Sequence, residues 1–146
     1  MFRIIQSPLT TEQYTKELQV DEAGAYVSFE GWVRNHHNGK PVTALYFDVY
    51  QAMAIKEGHK IIADAQSQFS ILKAASVHRA GQLSIGECAV WVGVTAAHRH
   101  DAYMASQWIM KEIKHRLPIW KKETYQNGTS EWVFCTHHHD SIVQPA

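Results

Sequence analysis

Hydrophobic and polar residues alternate with a period of two in several short segments, a pattern typical of β-strands. In the clearest segment, 88–94, a cysteine and three valines alternate with an alanine, a tryptophan and a glycine. Asn38-Gly39 and Asn127-Gly128 lie between such segments and indicate tight turns. The predicted strands span 25–33, 42–49, 71–78, 88–94, 120–124 and 131–134.

Other segments follow a helical period. A short helix is expected from Thr10 or Thr11 to about Leu18, and a longer one over about 50–69. The longest helix is expected over about 96–116, with Thr95 as its N-cap and Pro118 as its stop. Its apolar stripe is Ala102, Ala105, Ile109, Ile113 and Leu117. The mixture predicts an α+β fold, with a mixed or largely antiparallel sheet and two main helices packed on it.

The chain is long enough to bury one hydrophobic core. Its 146 residues are 45% hydrophobic and 19% charged, which favours a globular domain over a disordered chain. No repeat, low-complexity linker or shift of composition divides it. We therefore expect a single domain over residues 1–146, with a polar C-terminal tail from about residue 136.

The charge balance narrows the class of partner. Lys and Arg number 14 and Asp and Glu also number 14, so the net charge is zero with histidine neutral. A nucleic-acid partner, which usually requires a clear basic excess, is therefore not expected. The N-terminus has no apolar leader, and no run of about 18 apolar residues occurs. We expect no membrane association and a cytoplasmic location.

The stretch around Pro118 is unusual for its lysines. Lys114 precedes the proline, and Lys121 and Lys122 follow the aromatic Trp120. A lysine that loses part of its hydration beside an aromatic wall can act as an acid, a base or a nucleophile. Each lysine also has a simpler interpretation, in which its stem covers apolar surface and its ammonium group stays in water.

Two further basic groups suggest an anion. His98 and Arg99 fall in the first turn of the predicted long helix, where free N–H groups and the helix dipole favour negative charge. Arg34 begins a polar loop, and arginine suits bidentate binding of phosphate or carboxylate. The alternatives are a surface pair beside a neighbouring carboxylate and a loop that is merely solvated.

The cysteines and the histidine run give weaker signals. Cys88 and Cys135 have neither metal-ligand spacing nor a disulfide framework, and we interpret them as small apolar strand residues. The run His137–His139 cannot direct three successive side chains at one ion in an extended chain. A polar tail is the better interpretation. Motifs for phosphate loops, dinucleotides, serine hydrolases and zinc proteases are absent from the sequence, so we expect neither a metal nor a cofactor.

Four motifs in series resemble one protein family. In chain order they are GWVRNH at 31–36, HRAGQLSIGE at 78–87, VGVTAAHR at 92–99 and PIWKKE at 118–123. Together they resemble the large, catalytic subunit of molybdopterin synthase, the MoaE family, over about residues 25–133. The resemblance implies an α+β fold of the α/β-hammerhead type.

The resemblance also implies an activity and partners. The family is a sulfurtransferase of molybdenum cofactor biosynthesis that converts cyclic pyranopterin monophosphate into molybdopterin by forming its dithiolene. A small ubiquitin-like subunit delivers the sulfur as a thiocarboxylate on its C-terminal Gly-Gly. Two large subunits form a central homodimer with one small subunit at each end, a heterotetramer overall.

The site residues that the resemblance implies fall on the basic groups already noted. The two active-site lysines of the family fall on Lys114 and Lys121. Its substrate-side arginine falls on Arg34, and its His-Arg pair falls on His98 and Arg99. Two apolar pocket residues fall on Phe29 and Met110, whereas Lys122 stands where some relatives have arginine.

These assignments lead to an expected mechanism and to two rivals. The thiocarboxylate is itself the sulfur nucleophile, so no catalytic cysteine is needed. Lys114 is expected to act as the principal acid, base or charge-stabilising group, and Lys121 to assist it. One alternative is a non-catalytic docking module for the tail of a ubiquitin-like protein. Another, a small phosphate-ester hydrolase or nucleotide-binding enzyme, would normally show paired carboxylates, a metal set or a Gly-rich loop.

Overall fold

The computed structural model describes residues 1–133, which form three helices and nine strands. The helices are α1 (Glu12–Leu18), α2 (Gln51–Gln68) and α3 (Arg99–Arg116). The strands are β1 (Phe2–Ile5), β2 (Ala25–Trp32), β3 (His36–His37), β4 (Lys40–Val49), β5 (Lys73–Arg79), β6 (Gly81–Ser84), β7 (Cys88–Ala96), β8 (Ile119–Tyr125) and β9 (Ser130–Val133). The predicted α+β class is confirmed.

The first sheet has the strand order β1-β5-β7-β2. β1 runs parallel to β5, and the other pairs are antiparallel, so this sheet is mixed. The predicted pair of main helices, α2 and α3, packs on one face through a core that includes Val92, Val94 and Ile109. The short helix α1 covers the other face, where Trp91 is fully buried. Helices on both faces explain why nearly all of β7 is buried.

The second sheet is antiparallel, in the order β3-β4-β8-β9, with β6 also paired to β4. It has its own smaller core, which includes Leu45, Phe47 and Leu83. Ile119, at the start of β8, packs against both this core and the core beneath the helices. The two sheets therefore meet where α3 ends and β8 begins.

The end of α3 follows from the sequence. Pro118 disfavours helical backbone at the residue before it, and Leu117 is extended, with φ −80° and ψ 136°. The Leu117 amide still donates to the Ile113 carbonyl at 3.2 Å, and the Ile119 amide donates to the Leu117 carbonyl at 2.9 Å. The chain thus turns sharply and continues directly into β8.

The predicted start of α3 was wrong. Thr95 is not its N-cap, because β7 continues to Ala96 and Thr95 pairs with Lys73 and Tyr26 on the neighbouring strands. His98 is the N-cap, and the helix begins at Arg99. Tertiary pairing of the strand on both edges outweighs the capping preference of a threonine hydroxyl.

Other predicted boundaries differ less. The Thr11 N-cap of α1 is observed, although its hydroxyl makes no capping hydrogen bond. Strands β1, β3 and β6 were not predicted, because each has four residues or fewer and shows little alternation. Phe134, Cys135, the histidine run and the polar tail lie outside the described residues.

Candidate functional site

A cavity of about 410 Å³ opens where the two sheets meet the C-terminal half of α3. Its lining is mostly apolar and comes from both sheets, from α3 and from the turn at Pro118. Apolar members are Leu45, Phe47, Val90, Met110, Ile113 and Leu117. A size of this order suits a small organic molecule or the end of a peptide chain.

Lys114 and Lys121 lie on the lining of this one cavity. Lys114 is exposed in the last turn of α3, where the negative end of the helix dipole favours a cation. Lys121 is half-buried on β8, between Phe47 of β4 and Val133 of β9. The turn at Pro118 thus brings the two lysines from separate elements to one space.

Met110 also lines the cavity, one helical turn before Lys114. Phe29 does not; it lies on β2, 42% exposed and opposite Val92 of β7. Gly31, two residues further along β2, does line the cavity, and a Cβ there would lie 2.8 Å from the Val90 side chain. The missing side chain at Gly31 therefore lets the edge of the sheet form a close wall.

Arg34 lies just beyond β2, exposed and outside the cavity lining. Its loop is held in place: the Val42 amide donates to the Asn35 carbonyl at 2.9 Å, and the His37 ring contacts the Glu123 carboxylate at 2.9 Å. Within residues 1–133 no carboxylate forms an ion pair with Arg34. A positioned loop thus presents an exposed guanidinium group without an ion pair, two residues after Trp32 of the cavity lining.

His98 and Arg99 are exposed at the opposite end of α3. Arg99 precedes Lys114 by fifteen residues, which corresponds to about 22 Å along a helix. Neither residue lines the cavity. A single copy of the chain therefore does not bring this pair to Lys114.

The charged side chains on the cavity lining are basic. They are Lys114 and Lys121, and none of the described lining residues is Asp or Glu. Arg116, next to them, is instead engaged by three carboxylates on the other side of α3: Glu57 at 3.2 Å, Asp64 at 3.1 Å and Glu112 at 3.4 Å. The cavity is therefore electrostatically suited to an anion.

Glu123 of the PIWKKE motif is buried and hydrogen-bonded within the protein. It is only 3% exposed, and it accepts a hydrogen bond from the Tyr125 hydroxyl at 3.1 Å besides its contact with His37. Burial, together with this carboxylate, raises the pKa of Tyr125 to about 12. Glu123 thus joins β8 to the loop that carries Arg34. Its neighbour Lys122 instead lies 5.7 Å from the ring of Trp132.

His78 lines the cavity, although sequence reasoning did not select it as a site residue. It belongs to the strand face that carries Ala74 and Ser76, and a histidine on such a face is usually a satisfied core residue. The only feature of the sequence that could have indicated a site role for His78 was its position in the HRAGQLSIGE motif.

The structure disfavours a nucleophilic Cys88. Burial and the nearby Glu30 raise the pKa of its thiol to about 11, so almost none of it is thiolate at neutral pH. Within residues 1–133 no group of three or more His, Cys, Asp or Glu side chains could hold a metal ion. None of the helices in this part of the chain is long and apolar enough to cross a membrane.

Comparison with known proteins gives a consistent result. Residues 4–116 match the family described as "MoaE protein". The molybdopterin synthase catalytic subunit of Yersinia pestis is 44% identical over 122 residues, which is 84% of this chain and 80% of the relative.

Solved structures share the fold. Molybdopterin synthase from Staphylococcus aureus has a TM-score of 0.86 and 35% identity, and the match covers 90% of this chain and 96% of that one. A structure described as a complex of subunits 1 and 2 of molybdopterin-converting factor from Helicobacter pylori has a TM-score of 0.73 and 24% identity, covering 93% and 90%. At that identity it supports the fold alone.

Proposed function

The chain belongs to the MoaE family, and from this premise we propose that it is the catalytic subunit of a molybdopterin synthase. In this proposal it transfers sulfur from the C-terminal thiocarboxylate of a small ubiquitin-like subunit to cyclic pyranopterin monophosphate, forming the dithiolene of molybdopterin. The observation that carries the proposal is the placement of Lys114 and Lys121 on two walls of one largely apolar cavity.

The chemistry requires little of the large subunit beyond charge and position. In each of the two sulfur transfers that a dithiolene needs, a thiocarboxylate sulfur attacks a carbon of the pterin side chain, a C–S bond forms and a C–O bond of that carbon breaks, its oxygen leaving as water or on the phosphate. The two molecules are then joined as a thioester. Water then attacks the acyl carbon and the acyl C–S bond breaks. The sulfur stays on the pterin as a thiolate, and the tail of the small subunit leaves as a carboxylate.

Lys114 and Lys121 supply that charge in the proposed mechanism. An ammonium group beside an apolar wall stabilises developing negative charge more strongly than water does, because fewer solvent dipoles screen it. We assign Lys114 as the principal acid, base or charge-stabilising group, and Lys121 as its partner across Pro118 and Trp120. Since Cys88 is a poor thiolate, a sulfur source on a partner protein agrees with the composition of the site.

The anionic end of the substrate needs a separate binding site. Arg34, whose exposed guanidinium group follows Trp32 of the cavity lining by two residues, is one candidate for the phosphate. His98 and Arg99, at the N-terminus of α3, are the others. Because about 22 Å of helix separates Arg99 from Lys114 within one copy, we propose that this pair reaches the cavity from a second copy in a homodimer.

The remaining parts of the proposal are the partner and the setting. Met110, on the cavity lining, would contribute apolar contacts for the pterin or the peptide tail. Phe29 would do so from the edge of the lining, where its ring lies beside Gly31. One small subunit would bind at each cavity, giving a heterotetramer in the cytoplasm.

The decisive experiment mixes the purified chain with a thiocarboxylated small subunit and the cyclic pterin, and measures dithiolene by its conversion to a fluorescent oxidation product. Product formation that requires all three components supports the synthase. Binding of the small subunit without product would instead favour a docking module for a ubiquitin-like tail. Absence of both binding and product would overturn the proposal.

A further inference from the structure

His78 differs from the other polar side chains of the cavity in its burial. It is 6% exposed, at the end of β5, and it pairs with Val90 of β7. Its ring meets the ring of Phe47 edge-on, with centroids 5.0 Å apart and planes at 86°. Phe47 and Val90 both line the cavity, so His78 lies on its apolar floor rather than at its basic rim.

The hydrogen bonding of the ring fixes its tautomer. Nδ1 lies 2.7 Å from the carbonyl oxygen of Arg79. A carbonyl only accepts, so Nδ1 carries the proton and donates, and Nε2 of a neutral ring is left with a lone pair. Burial lowers the pKa of His78 to about 4, so the ring is neutral at physiological pH. Nε2 is therefore a fixed hydrogen-bond acceptor.

That acceptor has no protein partner within residues 1–133. The Arg79 carbonyl is the one hydrogen-bonding group that His78 contacts in this part of the chain. Lys114 and Lys121, the lysines on the same lining, present only donors. Nε2 is not among the fully buried unpaired side-chain atoms of residues 1–133, so it is accessible from the cavity that His78 lines. A ligand that supplies a donor there would form a hydrogen bond with it.

We propose that His78 is a ligand-binding residue, which accepts a hydrogen bond through Nε2 from an N–H group of the molecule that occupies the cavity floor. The inference rests on the proposed function and deepens it. Two ligands of that function carry such a group: the peptide tail of the small subunit and the pterin ring. The chemistry that His78 recognises is the same in both cases.

The test uses three variants of the full chain. His78→Phe keeps an aromatic ring against Phe47 and removes the acceptor. His78→Gln places an amide oxygen near the position of Nε2. Both variants lose the hydrogen bond that Nδ1 donates to the Arg79 carbonyl. The control is His59→Phe, which replaces an exposed histidine on α2 outside the cavity. Calorimetric titration measures the affinity of each for the small subunit with an unmodified Gly-Gly end, and separately for the cyclic pterin.

We expect His78→Phe to bind one of the two ligands about tenfold more weakly, as loss of one buried hydrogen bond would cause. His78→Gln should stay within about threefold of the wild type, and His59→Phe should be unchanged. A loss confined to the small subunit assigns the peptide N–H as the donor, and a loss confined to the pterin assigns a ring N–H. Either result supports the proposal.

Other outcomes would overturn it. Unchanged affinity of His78→Phe for both ligands would contradict the acceptor role, as would a glutamine variant as weak as the phenylalanine variant. Wild-type protein that binds neither ligand would contradict the proposed function as well, so the two failures are distinguishable. Thermal unfolding checks that each variant is folded, and His78→Leu replaces His78→Phe in the titrations if the larger ring unfolds the chain.

Discussion

The two ends of α3 are built differently. At the C-terminal end, Lys114 and Met110 form one wall of a cavity whose other walls come from both sheets of the same chain. At the N-terminal end, His98 and Arg99 are exposed and line no part of that cavity. Both ends carry residues assigned to one reaction. In the proposed function, therefore, one half of the site is complete within the chain, whereas the other half would come from a second copy.

The physical setting of the two ends agrees with this division. The C-terminal end combines an apolar floor with cations, an arrangement that strengthens electrostatic interactions with a bound anion. The N-terminal end has exposed basic side chains and the positive end of the helix dipole, which favours an anion. The proposed function accordingly places the chemistry at the first end and substrate binding at the second.

The largest effect is expected from Lys114→Ala. Removal of the principal charge at the C-terminal end should lower dithiolene formation about 10²-fold or more. The chain should stay folded and bind the small subunit, because Lys114 is exposed and packs in no core. Single-turnover assays measure the loss, with Lys111→Ala, an exposed lysine of α3 outside the cavity, as control. Near-normal turnover in Lys114→Ala would remove the assignment.

Mixing two inactive variants tests most directly whether one site combines residues from two copies of the chain. Lys114→Ala and Arg99→Ala chains should each be nearly inactive alone. If each site combines Lys114 of one copy with Arg99 of the other, a mixed dimer holds one site with both changes and one site with neither. Randomly mixed chains should then recover about a quarter of wild-type activity. Activity no higher than that of the two separate variants would show that each site is confined to one copy.

Arg34→Ala should have a smaller and different effect. The guanidinium group lies outside the cavity lining, so its loss should weaken binding of the cyclic phosphate about tenfold and leave the chemical step nearly unchanged. Titration of the pterin and a comparison of kcat with KM separate the two effects. Lys40→Ala removes an exposed lysine at the start of β4, outside the cavity lining and paired with Glu131 at 3.6 Å, and controls for general loss of positive charge. An unchanged affinity in Arg34→Ala would contradict its assignment.

The smallest expected effect is on stability in mild acid. The pKa of His78 is about 4 in the folded protein, against an ordinary value near 6.5. Between these values the unfolded chain binds a proton that the folded chain does not, so stability is lost as pH falls from about 6.5 toward 4. This group should account for about 1 kcal/mol lost by pH 5.5.

Comparison of wild type with His78→Phe isolates that contribution, because the nine other histidines are common to both. Urea unfolding at pH 7 and pH 5.5 should show a shallower pH dependence in the variant. Equal slopes would mean that the ring is not held neutral, and that the floor of the cavity is wetter than its apolar lining indicates.

Most of the helices and strands were predictable because the spacing of hydrophobic residues along the chain indicates them. The alternation over β7 and the stripe from Ala102 to Leu117 are local patterns, and both are buried as expected. The start of α3 was not predictable, because pairing of Thr95 with strands on both sides competes with its capping preference. Strands β1 and β6 were not predicted, because a short strand is stabilised by pairing with its neighbours and shows little pattern of its own.

The candidate site divides in the same way. Lys114 and Lys121 could be selected from the sequence because lysines rarely cluster beside a proline and a tryptophan, and both line one cavity in the structure. His78 could not be selected from the sequence, because histidine on a buried strand face is common. Only its tautomer and its unpaired nitrogen distinguish it.

The sequence by itself determined the α+β class, the stop of α3 at Pro118 and the family, because periodicity, proline geometry and motif order are properties of the chain. Only the tertiary structure decided which of the basic residues share a space. Lys114 and Lys121 converge because the turn at Pro118 joins the end of α3 to the start of β8 where the two sheets meet, whereas Arg99 is kept away by the rigid length of α3. Distance along a chain does not fix distance in space until the backbone between two residues is known.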